Sequence, residues 1–176
     1  MAGRIELIEG PMYAGKSTEL MRRMWRYRIH QRCVLVKPAL DTRYDTLRVS
    51  THDKISADAR TLEKLADALA WAGEFDVLLV DEGQFFPDLA DAAGALADEG
   101  KIVVVAALSG DFRRMPFEQV GLLGALADTK QMLAAVCACG RDAPFSKRIG
   151  AREGDAVVKI GGAETYVACC RVCWNK

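Results

Sequence analysis

The stretch GPMYAGKST, from Gly10 to Thr18, constrains the fold of this chain more than any other feature of its sequence. A short apolar run, IELIE, precedes it, and a run with helical spacing, ELMRRMWRYRIHQR, follows it. Its first eight residues fit the pattern G-x-x-x-x-G-K-[ST], in which a loop between a strand and a helix surrounds phosphate groups with backbone N–H groups. The sequence therefore predicts a phosphate-binding loop, and the alternative is a chance glycine-rich turn.

The predicted loop and the start of the helix supply candidate nucleotide ligands. We expect Lys16 to reach the β- and γ-phosphates, and we expect the Ser17 hydroxyl to bind Mg²⁺. The positive end of the helix dipole adds to the attraction for phosphate. The predicted ATP-binding residues are Gly10, Pro11, Met12, Tyr13, Ala14, Gly15, Lys16, Ser17 and Thr18, together with Asp81 and Gln84 from a later strand end.

Two acidic residues follow the apolar run in VLLVDEGQFF. Ligands of parallel sheets gather at the carboxyl ends of strands, so we expect Asp81 to hold Mg²⁺ together with Ser17. Glu82 is then placed to take a proton from an attacking hydroxyl group. The alternatives are a solvated acid at a strand end and, as in ATP hydrolases, a glutamate that orients water. The pair alone therefore indicates phosphoryl chemistry on ATP and leaves the acceptor open.

Short apolar runs recur along the chain, near residues 5–9, 33–37, 76–80, 102–108 and 132–137. Most of them do not alternate apolar with polar residues, which is typical of strands covered on both faces. Helical patterns lie between several of them, at 17–32, 61–72, 88–98 and in FEQVGLLGALAD. This alternation predicts an α/β fold of the P-loop NTPase type, a mostly parallel sheet flanked by helices. The polar stretch 38–60 is predicted to be a long loop, functional or mobile.

The cysteines are unevenly placed, because Cys33 stands alone and the other five of the six fall after residue 136. Cys137 and Cys139 form a C-x-C pair, and Cys170 and Cys173 form a C-x-x-C pair. Two such pairs predict a structural, tetrahedral Zn²⁺ site, and the alternative is a set of unliganded buried thiols. We therefore predict a nucleotide-binding domain over residues 1–136 and a small zinc-binding lobe with a substrate-covering loop over residues 137–176.

The bulk composition excludes several classes of partner. The 24 basic and 24 acidic side chains cancel, so we expect no nucleic-acid or membrane-surface binding. No apolar run reaches the roughly 20 residues of a membrane span. The N-terminus lacks the pattern of a signal peptide, which predicts a cytoplasmic protein.

Together these residues resemble the type II thymidine kinases, the zinc-containing cytosolic family. The resemblance runs nearly the whole chain, and it is carried by GPMYAGKSTELMRR, DTRY with STHD, DEGQFFPDL, SKRIG, KIGGAETY and the cysteines. The phosphate loop is shared by many families, whereas DEGQFF combined with IGGAETY and the cysteines is specific. One departure is the first cysteine pair, which is C-x-x-C in the family. The shortened pair leaves open whether Cys137 or the neighbouring Cys169 completes the zinc site.

The resemblance implies an enzyme that transfers the γ-phosphate of ATP to the 5′-hydroxyl of thymidine, with Mg²⁺ and with Glu82 as catalytic base. It implies that the KIGGAETY segment closes over thymine, with Tyr166 near the deoxyribose. It also implies a homotetramer that thymidine triphosphate inhibits. The substrate-binding residues it implies are Asp41, Arg43, Phe85, Leu108, Phe112, Ile160, Gly161, Gly162, Ala163 and Tyr166.

Two other functions remain as alternatives. A P-loop ATP hydrolase coupled to a protein partner would use Glu82 to orient water. A non-catalytic zinc-knuckle binding module would leave GKST and DEGQ unexplained.

Overall fold

The computed structural model of the chain describes residues 2–40, 48–50, 56–150 and 165–175. In these ranges the chain forms a central sheet, flanking helices and three two-stranded sheets. The strands are β1 (Arg4–Gly10), β2 (Cys33–Pro38), β3 (Arg48–Ser50), β4 (Ser56–Asp58), β5 (Arg60–Leu62), β6 (Val77–Val80), β7 (Ile102–Leu108), β8 (Thr129–Met132), β9 (Ala135–Val136), β10 (Asp142–Ala143), β11 (Phe145–Arg148) and β12 (Tyr166–Cys169). The helices are α1 (Lys16–Tyr27), α2 (Leu89–Asp98), α3 (Glu118–Leu126) and α4 (Arg171–Trp174), with 3₁₀ helices at Leu65–Glu74 and Gly83–Phe85.

The central sheet has six strands in the order β5-β2-β6-β7-β1-β8, and its pairs are parallel. Strands β7 and β1 lie side by side along their whole length, so that Gly10 is opposite Leu108. Strand β6 ends earlier than β7, because its last paired residue, Val80, is opposite Val105. The carboxyl ends of β1, β6 and β7 therefore meet at one edge of the sheet.

Two apolar layers cover the two faces of this sheet. In β7, Val103 and Val105 pack in the layer that contains α2 and α3. Ile102 and Val104 pack in the layer that contains Leu20, Met21 and Met24 of α1. Because both faces are covered, consecutive residues of β6 and β7 are all apolar, which is what the sequence showed. The predicted α/β fold with a mostly parallel, helix-flanked sheet is confirmed.

Three predicted elements differ in place or kind. The fifth strand was predicted at 132–137, but the strand of the central sheet is β8, Thr129–Met132, followed by the short β9. It was missed because β8 is an edge strand of largely exposed residues and lacks an apolar run. The predicted helix at 61–72 is the strand β5 followed by a 3₁₀ helix kinked at Trp71. The predicted loop at 38–60 contains β3 and β4, which pair as an antiparallel ribbon.

Among the described residues, no helix is both long enough and apolar enough to cross a bilayer.

Candidate active site

The phosphate loop joins β1 to α1, as the sequence predicted. The chain comes very close to Leu133 at Gly10, where a Cβ atom would lie 2.5 Å from the Leu133 carbonyl oxygen. Gly15 directly precedes the helix with a φ of 81°, a backbone conformation that residues with a side chain seldom adopt. Lys16 Nζ donates a hydrogen bond to the Pro11 carbonyl oxygen at 2.7 Å, so the lysine side chain lies back across the loop.

The two predicted magnesium ligands are in direct contact. Ser17 Oγ, in the first turn of α1, donates to the Asp81 carboxylate, at 3.0 Å from Oδ1 and 3.1 Å from Oδ2. Burial, together with the negative charge of Glu82, raises the pKa of Asp81 to about 7, although the Ser17 hydrogen bond and the Lys16 charge oppose that rise. A hydroxyl and a buried carboxylate at the mouth of a phosphate loop are the oxygen donors that Mg²⁺ prefers. The residues present therefore fit a magnesium ion.

Glu82 follows Asp81 in an unusual backbone conformation. Its φ of 51° and ψ of 42° place it in the left-handed region, although it is not a glycine. Such a conformation costs about 1 kcal/mol or more, and it is found more often at functional sites than elsewhere. The turn directs the chain out of the sheet after β6 and into the 3₁₀ helix Gly83–Phe85. Glu82 is half-buried, beside Asp81 at the edge where the phosphate loop also lies.

The side-chain amide of Gln84 forms hydrogen bonds at both its nitrogen and its oxygen. Its Nε2 donates to Glu82 Oε2 in a short hydrogen bond, and its Oε1 accepts from the Leu108 backbone N–H at 3.0 Å. Gln84 is buried. The structure thus places the predicted ATP-binding residue Gln84 between the predicted base and Leu108, which the resemblance assigned to substrate binding.

The phosphate loop also contacts the segment formed by β9 to β12 and α4, which contains the clustered cysteines and is here called the cysteine-containing lobe. The Met12 N–H donates to Ser146 Oγ of β11 at 2.9 Å, and Tyr13 Oη donates to the Tyr166 carbonyl oxygen of β12 at 3.4 Å. Tyr13 and Ala14 pack against the buried apolar cluster of this lobe. Residues on one side of the loop are therefore held by the lobe.

Phe112 and Tyr166, both predicted to bind substrate, meet at the side chain of Arg148. The Arg148 guanidinium carbon lies 4.0 Å from the centre of the Phe112 ring, and Arg148 Nη2 donates to Tyr166 Oη at 2.7 Å. The Asp111 carboxylate fixes the turn that carries Phe112, because it accepts from the N–H groups of Arg113 and Met115 at 2.8 and 2.9 Å. Arg148 and Asp111 are themselves buried.

The other predicted substrate residues divide into two groups. Phe85 is half-buried at the end of the 3₁₀ helix, while its neighbour Phe86 belongs to the sheet core. Asp41 and Arg43 lie outside the described residues, as do Ile160, Gly161, Gly162 and Ala163.

The four predicted zinc ligands come together in the lobe. The Sγ atoms of Cys137, Cys139, Cys170 and Cys173 lie within 4.8 Å of one another, and the Cys139–Cys170 sulfur distance is 3.6 Å. Tetrahedral Zn²⁺ with bonds of about 2.3 Å needs sulfurs about 3.8 Å apart, so the four sulfurs lie close enough together to hold zinc after small adjustments. A tight turn closed by a hydrogen bond from the Gly140 N–H to the Cys137 carbonyl oxygen brings the C-x-C pair into position. Cys169 is buried beside the set but is not part of it.

Sequence reasoning assigned no role to three residues that the structure brings to this region. Ser146 and Arg148 lie in the SKRIG motif, which marked the resemblance without assigning either residue a contact. Lys37 is buried at the carboxyl end of β2, the edge of the sheet that holds Asp81. The sequence did hold one signal for Lys37 and Arg148, because each lies within or beside a short strand-like run. A basic residue in a buried strand is seldom buried without a specific partner.

Comparison with known proteins gives a consistent result. The sequence profile described as "TK: Thymidine kinase" matches residues 3–174. The thymidine kinase of vaccinia virus (strain Ankara) is 47% identical over 98% of this chain and 97% of the viral protein. The cytosolic thymidine kinase of Gallus gallus is also 47% identical, over 98% of this chain and 77% of the chicken protein. Among solved structures, the Legionella pneumophila ATPase DotB has a TM-score of 0.49 and 15% identity, covering 81% of this chain and 44% of that one. The match over nearly the whole chain, at this identity, shows that this chain belongs to the thymidine kinase family.

Proposed function

We propose that the chain transfers the γ-phosphoryl group of ATP to the 5′-hydroxyl of thymidine, with Glu82 as the base that accepts the hydroxyl proton. The acceptor follows from membership of the thymidine kinase family. The observation that most supports the mechanism is the position of Glu82, next to the Ser17–Asp81 contact and at the sheet edge that carries the phosphate loop. A carboxylate there lies beside the phosphoryl group that a bound nucleotide would present.

The residues of the phosphate loop have separate tasks in this proposal. The backbone N–H groups of residues 10–18 bind the phosphate oxygens, and the Lys16 ammonium pairs with the β- and γ-phosphates once it leaves the Pro11 carbonyl. Ser17 and Asp81 would hold Mg²⁺, which supplies neutralisation of the charge that builds on the phosphate oxygens during transfer. Glu82 accepts the proton of the thymidine 5′-hydroxyl as its oxygen attacks phosphorus, and ADP leaves with the broken P–O bond's electrons.

Recognition of the nucleoside falls to the region around Phe112. We expect Phe85 and Phe112 to line the site for the thymine ring, with Tyr166 at the deoxyribose and the backbone of residues 160–163 hydrogen-bonded to the base. Asp41 and Arg43 are expected near substrate and phosphates. Two hydrogen bonds support this assignment. Arg148 holds the Tyr166 side chain, and Asp111 holds the turn that carries Phe112.

The lobe is proposed to hold structural Zn²⁺ on its four cysteines, with no open position for catalysis. We further expect a cytoplasmic homotetramer that thymidine triphosphate inhibits. Light scattering of the purified protein tests the assembly, and a rate measurement with added thymidine triphosphate tests the inhibition.

The deciding experiment measures ADP formation from ATP with each common nucleoside, and with none. We expect ADP to form with thymidine and thymidine monophosphate to accumulate in equal amount. In Glu82→Ala the rate should fall by about 100-fold or more, because general base catalysis of this kind contributes that much, while ATP binding stays nearly intact. ATP turnover that ignores every nucleoside would instead support the hydrolase, and retained turnover in Glu82→Ala would show that Glu82 is not the base.

A further inference from the structure

Gln84 occupies a gap that the topology creates at the carboxyl end of the sheet. Strand β7 continues to Leu108, whereas its pairing with β6 ends at Val105, opposite Val80. The chain after β6 turns away at Glu82, so the Leu108 N–H lies beyond the last β6–β7 pair. Gln84 Oε1 accepts from this N–H at 3.0 Å, and the side chain thereby replaces the missing strand neighbour.

The orientation of the Gln84 amide follows from its partners. A backbone N–H only donates, so the group that faces Leu108 has to be the amide oxygen. The amide nitrogen then faces Glu82, whose carboxylate oxygen accepts its hydrogen bond. Both ends of the amide are satisfied in this orientation, and turning the amide over would break both hydrogen bonds.

The hydrogen bond to Glu82 restrains the carboxylate that the mechanism uses. A glutamate side chain has three rotatable bonds, and its terminal torsion is broad, so position on the backbone alone does not fix the carboxylate. A donor held by a buried amide fixes the carboxylate oxygen to which it is hydrogen-bonded. Because Gln84 is anchored on β7, the carboxylate is tied to the sheet.

We propose that Gln84 is a positioning residue that holds the Glu82 carboxylate against the end of β7. This inference rests on the proposed function, because it requires Glu82 to act as the base. Gln84 acts only through Glu82 and takes no proton itself.

The substitution Gln84→Glu separates this role from simple support of β7. The new side chain keeps an oxygen that accepts from the Leu108 N–H. When it is ionised it donates no hydrogen bond to Glu82 and repels the Glu82 carboxylate, so kcat is measured on the alkaline side of neutral pH, where the pair does not share a proton. We expect kcat with thymidine to fall about 10- to 100-fold, as for a catalytic group displaced by about 1 Å, while KM for ATP changes by about twofold at most. Gln119→Glu is the matched control, since Gln119 Oε1 likewise accepts a backbone N–H, that of Ala90 in α2, at 3.1 Å. The control should keep the wild-type kcat.

A second background tests whether the effect passes through Glu82. When Glu82→Ala is already present, adding Gln84→Glu should leave the residual rate unchanged, because residues that act as a unit are not additive. The uncharged Gln84→Met is measured alongside, because it removes the donor to Glu82 without adding a charge, and it should give a similar loss of kcat. Since Gln84→Met also removes the acceptor of the Leu108 N–H, its loss should likewise vanish in the Glu82→Ala background.

Three results would overturn the proposal: a wild-type kcat in the Gln84 variant, a loss confined to KM for ATP, or an equal loss in the Glu82→Ala background. Failure of the proposed function gives a different result, since the wild-type protein would then phosphorylate no nucleoside, or Glu82→Ala would remain active.

Discussion

The backbone N–H of Met12 and the hydroxyl of Ser146 form a hydrogen bond of 2.9 Å that joins the phosphate loop to the cysteine-containing lobe. Tyr13 and Ala14 add apolar contacts with the same lobe. A loop that binds phosphate through its backbone depends on the order of that backbone. The cysteine-containing lobe is therefore in a position to influence the phosphate loop as well as the Phe112–Tyr166 region.

Ser146→Ala should weaken ATP binding, because it leaves the Met12 N–H without its acceptor and loosens the loop. Loss of one such hydrogen bond is worth about 1 kcal/mol, which corresponds to an increase of about fivefold in the dissociation constant for ATP. Isothermal titration calorimetry with ATP and Mg²⁺ measures this dissociation constant. Thr129→Ala, an exposed change on the edge strand β8, is the control and should bind ATP as the wild type does. An unchanged affinity in Ser146→Ala would show that the contact does not order the loop.

Zinc content should distinguish Cys137 from Cys169. The four sulfurs that lie together include Cys137 and exclude Cys169, so Cys137→Ala should lose zinc whereas Cys169→Ala should keep about one ion per chain, as a four-cysteine structural site requires. Metal analysis after dialysis measures the content. Removal of zinc by a chelator should lower the thermal midpoint, because binding of a structural metal contributes to folding free energy. Zinc retained in Cys137→Ala and lost in Cys169→Ala would reverse the assignment.

Sequence patterns predicted the elements that are determined by residues close together in the sequence. A strand covered on both faces appears as a continuous apolar run, so β6 and β7 were located, and the phosphate loop was found because its glycines and lysine have fixed spacing. The strand β8 was misplaced, since an exposed edge strand needs no apolar residues. The Met12–Ser146 hydrogen bond joins residues 134 positions apart, and no pattern in one sequence reports such a pair.

The two hydrogen-bond partners of the Gln84 amide could not be predicted from the sequence either. The sequence predicted a nucleotide ligand at this position, and that prediction stays open. The hydrogen bond to the Leu108 N–H depends on the difference in length between β6 and β7, which becomes visible only when the strands are paired.

Glu6 should make stability depend on pH at the acidic end. Burial by itself would raise the pKa of this carboxyl, but hydrogen bonds from Tyr27, Arg4 and Arg23 outweigh burial and hold the pKa below its ordinary 4.5. A group whose pKa is lower in the folded state stabilises the protein above the unfolded pKa and loses this contribution as pH falls through the folded value. Glu6→Gln should therefore be less stable than the wild type at pH 7, and the difference should shrink below about pH 4.5.

Urea unfolding of the two proteins from pH 7 down to about pH 3 measures this difference in unfolding free energy. Glu99→Gln, at an exposed position, is the control and should follow the wild type throughout. If the unfolding free energies of Glu6→Gln and the wild type stay parallel over this range, the hydrogen bonds to Glu6 do not make stability depend on pH.

Asp88→Ala should destabilise the fold without affecting the site. The Asp88 carboxylate accepts from the N–H groups of Leu65 and Ala66 at 3.0 and 2.9 Å, and so caps the 3₁₀ helix from a distant position in the chain. Loss of a cap of this kind costs about 1 kcal/mol, which lowers the melting temperature by about 2–4 °C in a chain of this size. Differential scanning calorimetry measures the melting temperature. Asp91→Ala should cause a smaller shift, because the exposed Asp91 carboxylate contributes only a helix-dipole interaction in the first turn of α2. A similar shift in both variants would contradict the capping role.

The distance between Glu82 and the acceptor hydroxyl tests the central claim most directly. It can be measured in a crystal structure of the protein with thymidine, Mg²⁺ and a non-hydrolysable ATP analogue. The account predicts that one Glu82 carboxylate oxygen lies about 2.6–3.2 Å from the 5′-oxygen of thymidine, directly or through one water, with the other oxygen still bonded to Gln84. A 5′-oxygen that lies beyond such contact in the closed complex, or faces another acidic side chain, would contradict the assignment of Glu82 as the base.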